Sequence, residues 1–315
     1  MCKEPLFLQP AFQERIWGGD SLNRFGYELP SGMIGECWGI SAHPNGLSIV
    51  KNGEYKGLTL EELWNKHQEL FGNCSSEKFP LLTKILDATK DLSVQVHPDD
   101  QFAYKYENGE IGKTECWYII DCQDGAEIVY GHHAQTREEF QEWVEHGKWN
   151  KLLRRISIKP GDFFYVPSGT IHALCEGTLV LETQQSSDTT YRVYDYDRID
   201  KNGDKRELHL DKALKVSSIP HQDYVVTPKV IKENGAITTI YVKEQYFSVY
   251  KWEIQQEAFF QQNKNFQLVS VLDGEATLRT IDEEYNIKKG DHFILTAKMG
   301  KIVIKGMVTC MVSHL

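Results

Sequence analysis

The chain has 315 residues, 41% of them hydrophobic and 11% aromatic, and carries a formal net charge of −10. The acid excess is spread along the chain and argues against nucleic acid as a partner, because phosphate backbones attract a positive field. No apolar run approaches the roughly 18 residues of a membrane span, and the polar, acidic start does not resemble a signal peptide, so a cytoplasmic protein is expected. The length allows two domains with sizeable cores. Seven cysteines (Cys2, Cys37, Cys74, Cys116, Cys122, Cys175, Cys310) form no C-x2-C pair. Several lie in apolar runs, and reduced, buried thiols are expected of them.

Taken in chain order, residues 59–71 predict a helix capped by Thr59, with Leu60, Leu63, Trp64 and His67 on one stripe and Gly72 at its end. Residues 92–96 alternate as a strand, on which Gln95 and His97 face the same side. A short helix is expected over 99–106 after Pro98. Strands follow at 116–120 and 127–130, with His132 and His133 after Gly131 expected as solvated loop residues. Residues 136–153 open with a T-x-x-E capping box and place Phe140, Trp143 and Val144 on one face, predicting a second long helix. Further strands are expected at 155–158, 163–166, 179–183, 247–254, 268–272, 276–279 and 301–305. The pattern is mainly β with a small helical insertion, not alternating βα units.

Residues 161–172 read GDFFYVPSGTIH, or G-x5-P-x-G-x2-H. Pro167 and Gly169 predict a tight turn that carries His172 onto the strand facing Gln95 and His97. Glu115, in KTECWYII, adds a carboxylate. Two imidazoles, a carboxylate and an amide oxygen suit one Zn²⁺ or a similar divalent ion, with a position left for water or substrate. The turn has an internal echo: KPGDFFYV at 159–166 recurs as KKGDHFIL at 288–295. In the second copy Thr296, Lys298 and Lys301 replace Pro167, Gly169 and His172. Two domains are therefore expected: a metal-binding barrel over 1–230, with helical segments around 59–72 and 136–153, and a smaller degenerate barrel without metal over 231–315.

These two motifs resemble those of the cupin superfamily, and more narrowly the type I mannose-6-phosphate isomerases of the short bacterial kind. The similar segments are ERIWGG (14–19), KILDATKDLSVQVHPDD (84–100), GKTECWYII (112–120), REEFQEWVEHGKWNKLL (137–153), KPGDFFYVPSGTIHAL (159–174) and ETQQSSDTTYRVYDYDR (182–198). The resemblance implies two cupin-type jelly-roll barrels and a metal-dependent isomerase that interconverts mannose 6-phosphate and fructose 6-phosphate. It places metal ligands on Gln95, His97, Glu115 and His172, the family's essential arginine on Arg192, and its lysine two before the ligand carboxylate on Lys113. Lys84 and Ser93 resemble positions lining the family's sugar-phosphate pocket. Thr114 stands where many members have proline, and the long helical domain of larger members is missing.

Aldose–ketose isomerisation moves a proton between C1 and C2 through an enediol and develops negative charge on oxygen. A planar guanidinium at Arg192 can hold that charge or a phosphate. Lys113 shares the inward face with Glu115 and is expected to act as acid or base with a lowered pKa. Glu182 is the alternative base, and Trp17 is placed to stack on the sugar. A small sugar phosphate is the expected partner. Competing readings are a non-haem iron cupin oxygenase built on two histidines and a carboxylate, and a non-enzymatic sugar-binding cupin. The catalytic base, native metal and oligomeric state are left open by the residues.

Overall fold

Strands dominate the computed structural model, which describes residues 4–199, 203–297 and 299–315. Cys2 and Lys298 lie outside the described residues. A six-stranded sheet runs in the order Phe163–Val166, Glu115–Cys122, Thr178–Gln185, Leu81–Ala88, Ile34–Ile40, Ala11–Gly19. A five-stranded sheet runs Leu153–Ser157, Glu127–His132, His172–Leu174, Val94–Val96, Tyr191–Tyr194. Their strands pair antiparallel. Leu86, Ala88, Trp117, Ile119 and Val180 of the first sheet share one core with Ile128, Tyr130 and Leu174 of the second.

Alternate residues of the six-stranded sheet, Ile85, Cys116, Leu179 and Leu181, enter a separate core with Phe247, Val249, Leu268 and Met311. The sheet is thus buried on both faces, and every residue of Leu81–Ala88 and Thr178–Gln185 is buried. Such strands lose the apolar–polar alternation of a half-solvated sheet. The far face of the five-stranded sheet (Val129, Ala173, Val193) is covered by Phe140, Trp143 and Ala213 from helices Arg137–Glu145 and Leu210–Val216.

The ten-stranded sheet begins at Lys229–Glu233 and takes the rest of the chain, yet it also includes Leu6–Gln9 and Ile49–Val50. Leu6 pairs with Ile294, and Leu8 with Val50. A contiguous division at residue 230 therefore does not describe the sheets, because N-terminal chain completes the C-terminal one. The echo at 159 and 288 appears as two matching turns. Gly161 and Gly290 have φ of 91° and 92°, the positive values a type II turn requires at its third residue. Asp162 and Asp291 each accept from the amide of the turn's first lysine, at 3.0 and 2.9 Å.

Helical expectations are corrected in detail. The first helix ends at Lys66, and a 3₁₀ turn, Gln68–Phe71, follows with Gly72 left-handed at φ 69°. The second divides into Arg137–Glu145 and Trp149–Leu152 around Gly147, whose φ is 62°. Its capping box is half formed: Thr136 accepts from Glu139 N, whereas the Glu139 carboxylate turns to Gln135 N. His132 is not solvated. It is buried at the end of its strand, edge-on to Phe140, with Nε2 3.0 Å from Ser218 O. His133 is exposed.

One buried polar cluster joins N- and C-terminal chain. The His292 ring, over Gly39 where any Cβ would clash, is hydrogen-bonded to Tyr27 Oη and Ser270 Oγ at 2.8 Å each. Burial lowers its pKa to about 3. The unfolded chain takes up this proton at an ordinary histidine value and the folded protein does not, so stability falls as pH drops from about 6.5 toward 3. His292→Phe should reduce the stability lost between pH 7.5 and 4.5 by about 2 kcal/mol, measured by urea unfolding. An unchanged pH dependence would count against this account.

Candidate active site

Two rows of side chains face each other across the space between the five- and six-stranded sheets. On the first, Gln95 is paired with His172 on one side and Arg192 on the other. Residues opposite one another in a sheet project to the same face, so all three share it. On the second, Glu182 is paired with Lys84 and Trp117, and Lys84 with Trp38. The two rows bound a cavity of about 330 Å³ whose lining includes Trp17, Lys84, Ser93, Gln95, Lys113, Glu182 and Arg192. That volume is of the size small-molecule sites require.

The turn Pro167–Thr170 carries the chain from one sheet to the other. Thr170 N closes it on Pro167 O at 3.1 Å, and Gly169, with φ 85°, donates to His97 O at 2.9 Å. Before the turn, Val166 pairs with Glu115; after it, His172 pairs with Gln95. The result is a buried cluster of His97, Glu115 and His172 whose ligand atoms all lie within 4.8 Å of one another. His97 Nε2 is 3.4 Å from Glu115 Oε2, and His172 Nε2 is 3.3 Å from Oε1.

Four ligands about 2.1 Å from a tetrahedral ion stand roughly 3.4 Å apart, so these separations are those of a metal's coordination edges. The tautomers agree. His97 Nδ1 donates to Thr189 O and His172 Nδ1 to Thr170 O, each at 2.8 Å. A carbonyl can only accept, so the neutral rings turn their acceptor Nε2 lone pairs toward the cluster. Glu115 Oε1 is buried with no hydrogen-bond partner. The Gln95 amide lies 3.3 Å from His172 Nε2, and exchanging its isosteric N and O offers the oxygen. The donor set fits a divalent ion.

Charge in the site is mostly paired. Lys113 donates to Glu115 Oε2 at 2.6 Å and stands 3.1 Å from His97 Nε2. Burial disfavours its charge, but Glu115 and Glu182 outweigh burial and hold the ammonium above the usual lysine value. Two buried carboxylates thus oppose the lowering expected of a lysine beside a metal. Burial alone would raise Glu115, yet Lys113, His97 and His172 keep it well below the carboxylate range. Glu182 is buried; burial and then Glu115 raise its pKa, while Trp117 Nε1 donates to it at 2.9 Å. Arg192 gives Nη1 to Glu207 O at 2.8 Å, and its buried Nε has no partner.

The cavity also contains residues that the sequence reading passed over: Arg15, Glu36, Asp188, Thr190 and Arg206. A signal existed for Glu36. It is the one charged residue in the otherwise wholly buried strand IGECWGI, and an unpaired carboxylate is rarely tolerated there. Arg206 forms a fork with Asp195, its Nε 2.7 Å from Oδ2.

Comparison with known proteins gives a consistent result. Residues 6–120 match the phosphomannose isomerase type I catalytic domain, and residues 237–315 the mannose-6-phosphate isomerase cupin domain. The chain is 54% identical over 317 residues to a mannose-6-phosphate isomerase, ManA, of Bacillus subtilis, covering 100% of both. Identity to the mannose-6-phosphate isomerase of Streptococcus mutans is 51% over 312 residues, covering 99% of this chain and 98% of that one. The crystal structure of the mannose 6-phosphate isomerase from Bacillus subtilis superposes with a TM-score of 0.97 at 55% identity, covering 99% of each chain.

Proposed function

The chain belongs to the type I mannose-6-phosphate isomerase family, with its cupin fold, and from that premise we infer how its cavity interconverts mannose 6-phosphate and fructose 6-phosphate. The observation that carries the assignment is the His97–Glu115–His172 cluster, joined through Gln95 and Lys113, which touch His172 and Glu115, to a cavity also lined by Lys84, Glu182 and Arg192. Gln95, His97, Glu115 and His172 would hold a divalent ion, which we assign as Zn²⁺ from the nitrogen and oxygen donors, and such an ion would supply Lewis-acid polarisation of substrate oxygens.

The protein's own groups do the rest. Lys113 gives a proton to the substrate carbonyl oxygen and takes one back from the neighbouring hydroxyl as that oxygen becomes the new carbonyl, so it ends as it began. Glu182, whose raised pKa brings it closer to neutral pH, carries the proton between C1 and C2. Arg192 holds the oxyanion of the enediolate with its fork. Lys84 and Ser93 bind substrate oxygens, and Trp17 lies against the sugar. Residues 231–315 are assigned no ligand, since their copy of the turn leads to Lys301 where the first leads to His172. Among the described residues no helix is long and apolar enough to cross a membrane. The described cysteines are all free thiols, which suits action in the reducing cytoplasm.

The test is a coupled assay on mannose 6-phosphate with and without a chelator. Turnover should vanish on metal removal and return with one equivalent of Zn²⁺. No turnover of any hexose 6-phosphate by fully loaded protein would overturn the isomerase assignment, and undiminished turnover without metal would overturn the metal's role.

A further inference from the structure

Lys84 is held in an unusual way. Its ammonium is 3.6 Å from Glu36 Oε2 and 3.8 Å from Glu182 Oε1, on the two strands that flank its own, and lies 4.5 Å above the centre of the Trp38 ring. Both carboxylates are close enough to attract it and too far to accept a hydrogen bond. Among the described residues no acceptor takes its N–H groups, although its side chain is only 5% exposed. An ammonium has three donors, and here they remain available to whatever enters the cavity.

Glu36 is itself fixed from behind. Its carboxylate accepts from Arg15 Nε and Trp38 Nε1 at 2.6 Å each. Although burial opposes ionisation, Lys84, Arg15 and Trp38 hold its pKa near 2. Its charge is therefore permanent and its position rigid. We propose that Glu36 is a positioning residue: anchored by Arg15 and Trp38, it holds Lys84 away from Glu182 so that the Lys84 donors are free for oxygens of the sugar phosphate. The proposal rests on the isomerase assignment above and adds to it a role for Glu36 and Arg15.

Two effects of neutralising Glu36 oppose each other. Removing a negative charge from the cavity would, with Lys84 unmoved, tighten binding of an anionic substrate. If Glu36 is what balances Glu182, Lys84 instead closes onto Glu182 and forms the hydrogen-bonded pair now lacking, which withdraws it from substrate. A buried, hydrogen-bonded ion pair is the stronger of the two at contact distance, so positioning should prevail.

In the metal-loaded enzyme, Glu36→Gln should raise KM for mannose 6-phosphate about tenfold and lower kcat as well, because the Lys84 ammonium then pairs with Glu182, the group assigned as base. The double variant Glu36→Gln/Lys84→Gln should have a KM no higher than that of Lys84→Gln alone, because groups acting through one another are not additive. Glu36→Asp, which keeps the charge, should restore part of the loss. An unchanged or lowered KM in Glu36→Gln, or multiplicative effects in the double variant, would overturn the proposal. If Glu36→Gln does not fold, Arg15→Gln releases the same carboxylate from an anchor whose side chain is 30% exposed; it should raise KM in the same direction, and no rise would count equally against the idea. Calorimetric affinity for mannose 6-phosphate gives the same comparison without turnover, so a chain that binds but does not isomerise would refute the assigned activity and leave this linkage to be judged by itself.

Discussion

His172→Ala is expected to abolish stoichiometric metal binding and to lower kcat/KM for mannose 6-phosphate by roughly 10³ or more, the scale of several kcal/mol that a Lewis acid contributes. The reason is geometric. His172 Nε2 stands 3.3 Å from Glu115 Oε1, the separation of two ligands of one ion, and beside the Gln95 amide, so its loss removes one vertex and loosens two others. The backbone carbonyl of Thr170 orients the ring through Nδ1, and a ligand supported in this way is hard to replace by water. Elemental analysis of the purified variant, with thermal unfolding as a check on folding, reads the effect without reference to turnover. Full retention of one metal per chain would refute the ligand assignment. Proton competition should be mild: burial, then Lys113, lowers the pKa of His97 to about 3, and burial lowers His172 as well. Both rings are neutral at neutral pH, so metal loss on acidification should begin below the ordinary histidine range.

How far the chain could be read from its residues depended on which face each strand buried. The strands carrying Gln95, Glu115 and Phe163–Val166 were recognisable because turn residues and alternation bracketed them. Leu81–Ala88 and Ile34–Ile40 were passed over. Both are buried on two sides, so their pattern is continuous, and a lysine or a glutamate interrupts each run where it points into the cavity. Thr178–Gln185 is buried in the same way and was still legible, at 179–183, so continuity of burial weakened the signal without erasing it. Leu6–Gln9 was missed for another reason: four residues carry little periodic signal, and their pairing with His292–Leu295 is set by chain nearly 300 positions away. Gly147 was the visible break within the second helix, and its left-handed conformation outweighed the apolar stripe that continued past it. Motif spacing pointed to the His97–Glu115–His172 cluster, whereas Arg15, Glu36 and Arg206 reach the cavity from separate segments that no spacing connects.

Arg192→Ala should lower kcat by roughly 10² or more while raising KM much less, the signature of an interaction made chiefly in the transition state. Arg192 sits beside Gln95 in the sheet register, so its guanidinium enters the cavity next to the ligand row. Charge pairing distinguishes it from the other cations there. Arg15 is paired with Glu36, Lys113 with Glu115 and Arg206 with Asp195, whereas no described carboxylate forms an ion pair with Arg192. Burial and then Arg206 lower its pKa, yet a guanidinium starts so far above neutrality that it stays protonated. Its Nη1 is held by the Glu207 carbonyl while Nε is left unsatisfied. A buried cation with a fixed pose and an unused donor is poorly compensated in the free enzyme and gains most when negative charge develops on the substrate. Arg192→Lys should recover only part of the rate, because an ammonium can restore the charge but not the planar pair of donors. Steady-state kinetics on both variants, with metal content held at one equivalent, separates the possibilities. An alanine variant with unchanged kcat and only a raised KM would reassign Arg192 to ground-state binding of the sugar phosphate.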